Sequence, residues 1–166
     1  YFSISKSGFH TMAKTNAIRI LESKNISFTA ESYEVSEEEL DAVSVARKIG
    51  MDPDMVFKTL VARDESNRLF VFVIPGSCEL DLKKAARAAS SKKIEMIKVK
   101  ELFDLTGYIR GGCSPIGMKK LFPTFIDETA LLFDTISISA GVRGTQILIN
   151  PSDLITTIPA RTADLI

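Results

Sequence analysis

The strongest constraint on the fold of this chain is a pair of strand-like runs flanking a turn. Residues 56–63 and 69–75 are apolar, β-branched and aromatic, and residues 64–67 between them read as a turn. A hairpin at this point commits part of the sheet to antiparallel pairing. Helix and strand signals alternate irregularly around it. Residues 15–24 have helical spacing, with Ala17, Ile18 and Leu21 on one stripe, and residues 26–35 read as a strand. Ser36 followed by Glu39 is a capping-box pattern, which predicts a helix running to Ile49 and stopped by Gly50. A short turn of helix is expected at 52–54. Helices are expected at 82–89 and 99–105, strands at 124–126, 136–139 and 145–150, and a last short helix at 151–155. The expected fold is a single α/β (α+β) domain, with a mixed, mostly antiparallel or barrel-like sheet flanked by helices and no doubly wound parallel sheet.

Composition agrees with one well-buried core. The 166 residues are 45% hydrophobic and 25% charged, with a mean hydropathy of +0.12. No apolar run approaches the roughly 20 residues of a membrane helix. Residues 1–11 lack a sustained period and read as an expression scar, with residues 12–166 forming the domain. No signal-peptide pattern is present, so the expected location is cytoplasmic. His10 is the sole histidine. A domain starting at Met12 therefore has none, which argues against Ser-His or Cys-His nucleophile pairs and against most zinc sites. No metal or cofactor is expected. Cys78 and Cys113 are spaced as ordinary reduced thiols.

The segment Gly111-Gly112-Cys113-Ser114-Pro115-Ile116-Gly117-Met118-Lys119-Lys120 holds three glycines and a proline within seven residues. It offers bare backbone that can approach a ligand or aim N–H groups at a developing oxyanion; it could equally be a glycine-rich connection. It is neither a dinucleotide loop nor a P-loop. Lys58 lies in an otherwise apolar strand, either turned outward by alternation or held against a ligand. Tyr33 suits cross-strand packing or a pocket wall. Cys113 sits among potential backbone donors but has no histidine to activate it. Asp127 and Glu128 read as a turn. Charge is uneven: residues 83–120 hold ten Lys/Arg against three Asp/Glu, and residues 12–65 hold seven against eleven. A basic block beside a glycine loop suits a polyanion such as nucleic acid, although charge runs are commonly just solvated faces.

Five motifs in register then give a resemblance: Phe57-Lys58-Thr59-Leu60, Leu82-Lys83-Lys84-Ala85-Ala86, Thr106-Gly107-Tyr108, Gly111 to Gly117, and Gly141-Val142-Arg143-Gly144. Together they resemble the YbaK/EbsC family of aminoacyl-tRNA deacylases, relatives of the editing domain of prolyl-tRNA synthetases. The resemblance implies trans-editing hydrolysis of a mischarged tRNA, cysteinyl-tRNA(Pro) foremost, by substrate-assisted ester cleavage. Alanyl-tRNA(Pro), or a non-catalytic tRNA- or nucleotide-binding module, is the alternative. It implies Lys58 as the essential lysine, with Gly111 and Gly112 as oxyanion donors. Tyr33, Thr59, Cys113, Ser114, Pro115, Gly117 and Gln146 would face the substrate, Gln146 standing where some members carry an aspartate. Lys83, Lys84, Arg87, Lys119, Lys120 and Arg143 would hold the tRNA. Expected partners are the acceptor end of aminoacyl-tRNA and prolyl-tRNA synthetase, with the protein a monomer or weak dimer.

Overall fold

The computed structural model describes residues 2–4 and 14–166. As expected, it is an α+β domain with mixed strand pairing; among the described residues the strands form two open sheets. The first sheet contains β1 (Phe2–Ile4), β2 (Phe28–Ser32), β7 (Ile136–Ser139) and β8 (Thr145–Ile149), in the order β1-β2-β8-β7. The second contains β3 (Phe57–Asp64), β4 (Leu69–Pro75), β5 (Ile94–Met96), β6 (Thr124–Asp127) and β9 (Arg161–Ala163), in the order β5-β3-β4-β6-β9. A single parallel bridge between Val56 and Ser137 joins them. The expected hairpin is β3–β4, running antiparallel from Phe57↔Pro75 to Arg63↔Leu69. Pairing is mixed, with β1–β2, β4–β6 and β6–β9 parallel.

The hairpin turn is built around one carboxylate. Asp64, 4% exposed, accepts from the backbone N–H groups of Ser66 and Arg68 at 2.9 Å each, from Arg68 Nε at 2.8 Å and from the Ser91 hydroxyl at 2.9 Å. Asn67 takes the left-handed conformation at φ 62°. Burial alone would raise the Asp64 pKa. The donors from Arg68, Ser91 and Ser66 outweigh it and hold the group at about 2, against 3.8 in a model peptide. A folded-state pKa below the unfolded one stabilises the fold above about pH 4, and that contribution is lost as pH falls toward about 2. Asp64→Asn should therefore destabilise the protein at neutral pH and flatten the acid limb of its stability curve. Urea midpoints across that window test this, and an unchanged acid limb would overturn it.

Strand β4 explains the unbroken apolar run at 69–75, because it is buried on both faces. Val71 and Val73 join the main core with Phe57, Val61, Ile126 and residues of the first sheet, including Ile136, Ile138, Ile147 and Ile149. Phe70, Phe72 and Ile74 face a second core, closed by Ala85 and Ala86 of α3 (Leu82–Ala88) and by Leu165. There the Phe72 and Phe125 rings stack at 5.8 Å between centroids.

Two expectations need correction. The helix predicted from Ser36 starts six residues later, as α2 (Ala42–Ile49), and Gly50 closes it at φ 71°. Asp41 is the N-cap, accepting from Ser44 N at 3.1 Å and Ser44 Oγ at 2.7 Å. The buried residues of α2 are Val45 and Ala46, so packing anchors the helix there, while residues 36–39 form a turn closed by Glu39 N donating to Ser36 O. Residues 1–11 are also not irregular throughout. β1 pairs parallel with β2, from Phe2↔Phe28 to Ile4↔Ala30, because the outer edge of β2 offers backbone groups that a short extended segment satisfies. His10 and Met12 lie outside the described residues. Among the described residues, no helix is long and apolar enough to cross a membrane.

Candidate active site

The site forms where β3 runs out of partners on one side. Strand β5 pairs only with residues 62–64 of β3, from Ala62↔Met96 to Asp64↔Ile94. Beyond that point the edge of β3 faces a cleft of about 300 Å³, near the lower limit for small-ligand sites. Both faces of the strand reach it, since Lys58, Thr59, Leu60 and Val61 all contribute to its wall. The start of α2 closes one side with Leu40, Asp41, Ala42 and Val45. Met96, Ile97, Val99 and Leu102 close another, and Arg110, Gly111, Cys113, Ser139 and Gln146 complete it.

Lys58 is half-buried, and its ammonium donates to Gly76 O at 3.3 Å. One carbonyl uses a fraction of the donors of an ammonium group. The Thr59 hydroxyl is buried and has no hydrogen-bond partner, a costly arrangement for a polar atom. It lies on the wall of a cleft that a ligand can enter.

The two glycine motifs fold against each other. A Cβ on Gly111 would sit 3.2 Å from Arg143 Nε and 3.3 Å from Leu40 Cδ2; one on Gly112 would meet the backbone of Val142 and Arg143 at 3.1 Å. Gly111 also needs its φ of 84°. Arg143 Nε donates to Arg110 O at 2.8 Å, fastening the loop to the turn at 141–144. The glycines thus let the loop backbone lie flush against that turn and present Gly111 to the cleft.

Of the expected site residues, Lys58, Thr59, Gly111, Cys113 and Gln146 share this cleft. The others serve its frame. The Gly112 N–H donates to Ile109 O at 2.9 Å and closes a turn, so it is not available to an oxyanion. Ser114 is fully buried, with its hydroxyl accepting from Ile116 N at 3.2 Å, and Pro115 is buried beside it. Gly117 fits between Asn16 and Tyr108, with its carbonyl accepting from Asn16 Nδ2 at 3.1 Å. Tyr33 packs with Val45, Ala46 and Val56 beneath α2. The Gln146 amide oxygen accepts from Ser137 Oγ at 2.8 Å.

The basic residues are dispersed. Arg110 is the member of the 83–120 block that lines the cleft. Lys83 and Arg87 sit on α3, where Lys84 is held by Asp164 at 3.0 Å and by Ile166 O. The Lys119 ammonium lies 5.1 Å from the centre of the Phe103 ring, and Lys120 beside it is exposed. Sequence reasoning missed Asp41, Ala42 and Val45 and the 96–102 wall. No motif marks them, and the close approach of Gly76 to Ala42 is visible only in the structure.

Burial pushes the Cys113 thiol up to about 12, only partly offset by its hydrogen bond with Thr106. At neutral pH it is a thiol and a poor nucleophile. Cys113→Ala should keep activity within about tenfold, since no nucleophile is lost. In the folded protein a thiol reagent should label Cys78 well before Cys113. Rapid labelling of Cys113, or an inactive but folded Cys113→Ala, would restore it as a nucleophile.

Over 146 residues the chain is 47% identical to the Enterococcus faecalis protein named "Putative Cys-tRNA(Pro)/Cys-tRNA(Cys) deacylase EbsC", an alignment covering 88% of this chain and 89% of that one. It is 28% identical over 124 residues to Bacillus subtilis YwhH, covering 73% and 78% of the two chains. The fold matches a solved structure described as "a putative trans-editing enzyme for prolyl tRNA synthetase" with a TM-score of 0.77 at 24% identity, over 89% of this chain and 92% of that one. It also matches the hypothetical protein APE2540 with a TM-score of 0.83 at 18% identity, over 91% and 99%. The family model for the aminoacyl-tRNA editing domain matches residues 36–157, which span the cleft walls from α2 to β8, and the chain belongs to that family.

Proposed function

We propose that this protein deacylates mischarged aminoacyl-tRNA in trans, with cysteinyl-tRNA(Pro) as its main substrate, and that the substrate supplies the nucleophile. The observation that carries this reading is the cleft itself. It joins a half-buried lysine, an unpartnered threonine hydroxyl and a glycine backbone, with one carboxylate and no histidine on its wall among the described residues. Such a site is suited to positioning an ester and stabilising an oxyanion, and poorly suited to activating water. An aminoacyl ester needs little more. The cysteinyl sulfur attacks its own carbonyl carbon, a C–S bond forms, the C–O bond to the ribose breaks, and the thiol proton passes to the departing ribose oxygen. The β-thiolactone then hydrolyses in solution.

In this reading Lys58 and Arg110 hold the terminal phosphate or ribose, Gly111 offers backbone to the oxyanion, and the Thr59 hydroxyl finds its partner on the substrate. Gly112, Ser114, Pro115 and Gly117 hold the loop, Tyr33 supports α2, and Lys119, Lys120 and Arg143 remain candidates for tRNA phosphates. A prolyl-tRNA synthetase partner would supply tRNA selectivity that a small cleft cannot.

The test is a deacylation panel on tRNA(Pro) charged with different amino acids. Seryl-tRNA(Pro) should react far more slowly than cysteinyl-tRNA(Pro), because a hydroxyl is a much weaker nucleophile near neutral pH, while binding changes little. A thiolactone should be trapped from the cysteinyl ester alone. Equal rates without thiolactone would overturn the substrate-thiol mechanism. No turnover with any ester would overturn deacylation.

A further inference from the structure

We propose that Asp41 binds the α-ammonium of the aminoacyl group and so sets the direction in which the substrate enters the cleft. This rests on the deacylase reading above and adds to it the residue that recognises a free amino group.

An aminoacylated tRNA end carries opposite charges a few bonds apart: a phosphodiester on one side of the ribose and an ammonium next to the ester carbonyl on the other. The cleft wall likewise carries both signs of charge. Its cationic side chains are Lys58 and Arg110, and Asp41 is its single carboxylate among the described residues. The rest of the wall is largely apolar, including Leu40, Val45, Phe57 and Val61. An ammonium placed there without an anion would be desolvated and uncompensated.

Gly76 ties the start of α2, which Asp41 caps, to Lys58. Its carbonyl accepts from Lys58 Nζ at 3.3 Å, and its α-carbon lies so near α2 that a Cβ would come within 1.9 Å of Ala42 Cβ. The carboxylate is also held in place. One oxygen accepts from Ser44 N and the other from Ser44 Oγ, which fixes its orientation and leaves each oxygen a further lone pair. The Ser44 side-chain and backbone bonds keep its pKa below the usual carboxylate value, so it is an anion at working pH. A capping residue needs no charge for its structural duty, since asparagine caps as well as aspartate. A carboxylate on the wall of a cleft that also carries Lys58 and Arg110 supplies what the cap alone does not require.

The experiment exploits that equivalence. Asp41→Asn keeps the cap and removes the charge. Wild type and Asp41→Asn are each assayed on cysteinyl-tRNA(Pro) and on its N-acetylcysteinyl counterpart, which keeps ester and thiol but lacks the ammonium. Loss of a charge-assisted hydrogen bond predicts that Asp41→Asn lowers kcat/KM on the free-amino ester by about ten- to a hundredfold. The two proteins should then handle the N-acetyl ester within about threefold of each other. Comparing the variants on the same ester cancels the intrinsic reactivity change caused by acetylation. A parallel arm measures binding of 3′-alanylamino-3′-deoxyadenosine, a non-hydrolysable amide, and of its N-acetyl derivative. Preference for the free amine should disappear in Asp41→Asn. If Asp41→Asn weakens both esters and both amides equally, or changes none of them, the assignment is wrong. If no ester is hydrolysed but the amide preference is still lost in Asp41→Asn, the ammonium contact stands and deacylation falls.

Discussion

Lys58→Ala should lower deacylation of cysteinyl-tRNA(Pro) by about a hundredfold or more while leaving the fold intact. The magnitude is that of losing a preorganised electrostatic group at a reacting centre. The intact fold follows from what the side chain does in the free protein. Its hydrogen bond to Gly76 O at 3.3 Å is of the kind that contributes only about 1 kcal/mol to stability. Circular dichroism and a urea midpoint close to wild type would confirm folding. Lys58→Arg should rescue little, because a planar guanidinium cannot occupy the same point as an ammonium on a β-strand edge. A folded Lys58→Ala with near wild-type turnover would remove the lysine from the mechanism.

The second large effect is expected at a residue that touches no substrate. Gly76→Ala adds one methyl group, and that methyl would fall 1.9 Å from Ala42 Cβ and 2.9 Å from Val56 O. Both are fixed: Ala42 opens α2, and Val56 O accepts from Gly76 N at 2.7 Å. The strain must be relieved by moving α2 away from the hairpin end. Overpacking of this kind typically costs 1–3 kcal/mol, on the order of the loss expected here. The same movement displaces Asp41, Ala42 and Val45 from the cleft wall and disturbs the carbonyl that holds Lys58. Activity should therefore fall more than tenfold, well beyond what the modest destabilisation explains at assay temperature. Wild-type stability and activity in Gly76→Ala would show that α2 does not bear on the hairpin as described.

These two residues mark the difference between what was readable and what was not. Lys58 stands out in the sequence because a charge interrupts an apolar strand, and the motifs around it resemble a family whose domain model covers this region. Gly76 looks like an ordinary turn residue; its importance comes from a helix more than thirty residues earlier in the chain. The glycine loop was legible as exposed backbone. Which of its amides is free was not, because the Gly112 N–H is consumed by a turn that only coordinates reveal. The basic block, contiguous in sequence, is dispersed in three dimensions. Lys83, Lys84 and Arg87 share α3 while Arg110 lies on the cleft wall, and Lys84 is ion-paired with Asp164 of the C-terminal segment.

The sequence by itself determined the local elements with strong periodicity or distinct turn chemistry. The β3–β4 turn, the α1 helix (Asn16–Ser23), the stop at Gly50 and the helix opened by Pro151 rest on patterns within a few residues. Tertiary structure decided everything that depends on a distant partner. Strands β5 and β9 are three residues each, too short and too polar to declare themselves, and exist because β3 and β6 offer free edges. The start of α2 was set by the burial of Val45 and Ala46, overriding a capping box at Ser36. The division into two sheets, and the cleft opened at their junction where β3 outruns β5, follow from long-range pairing that no local pattern encodes.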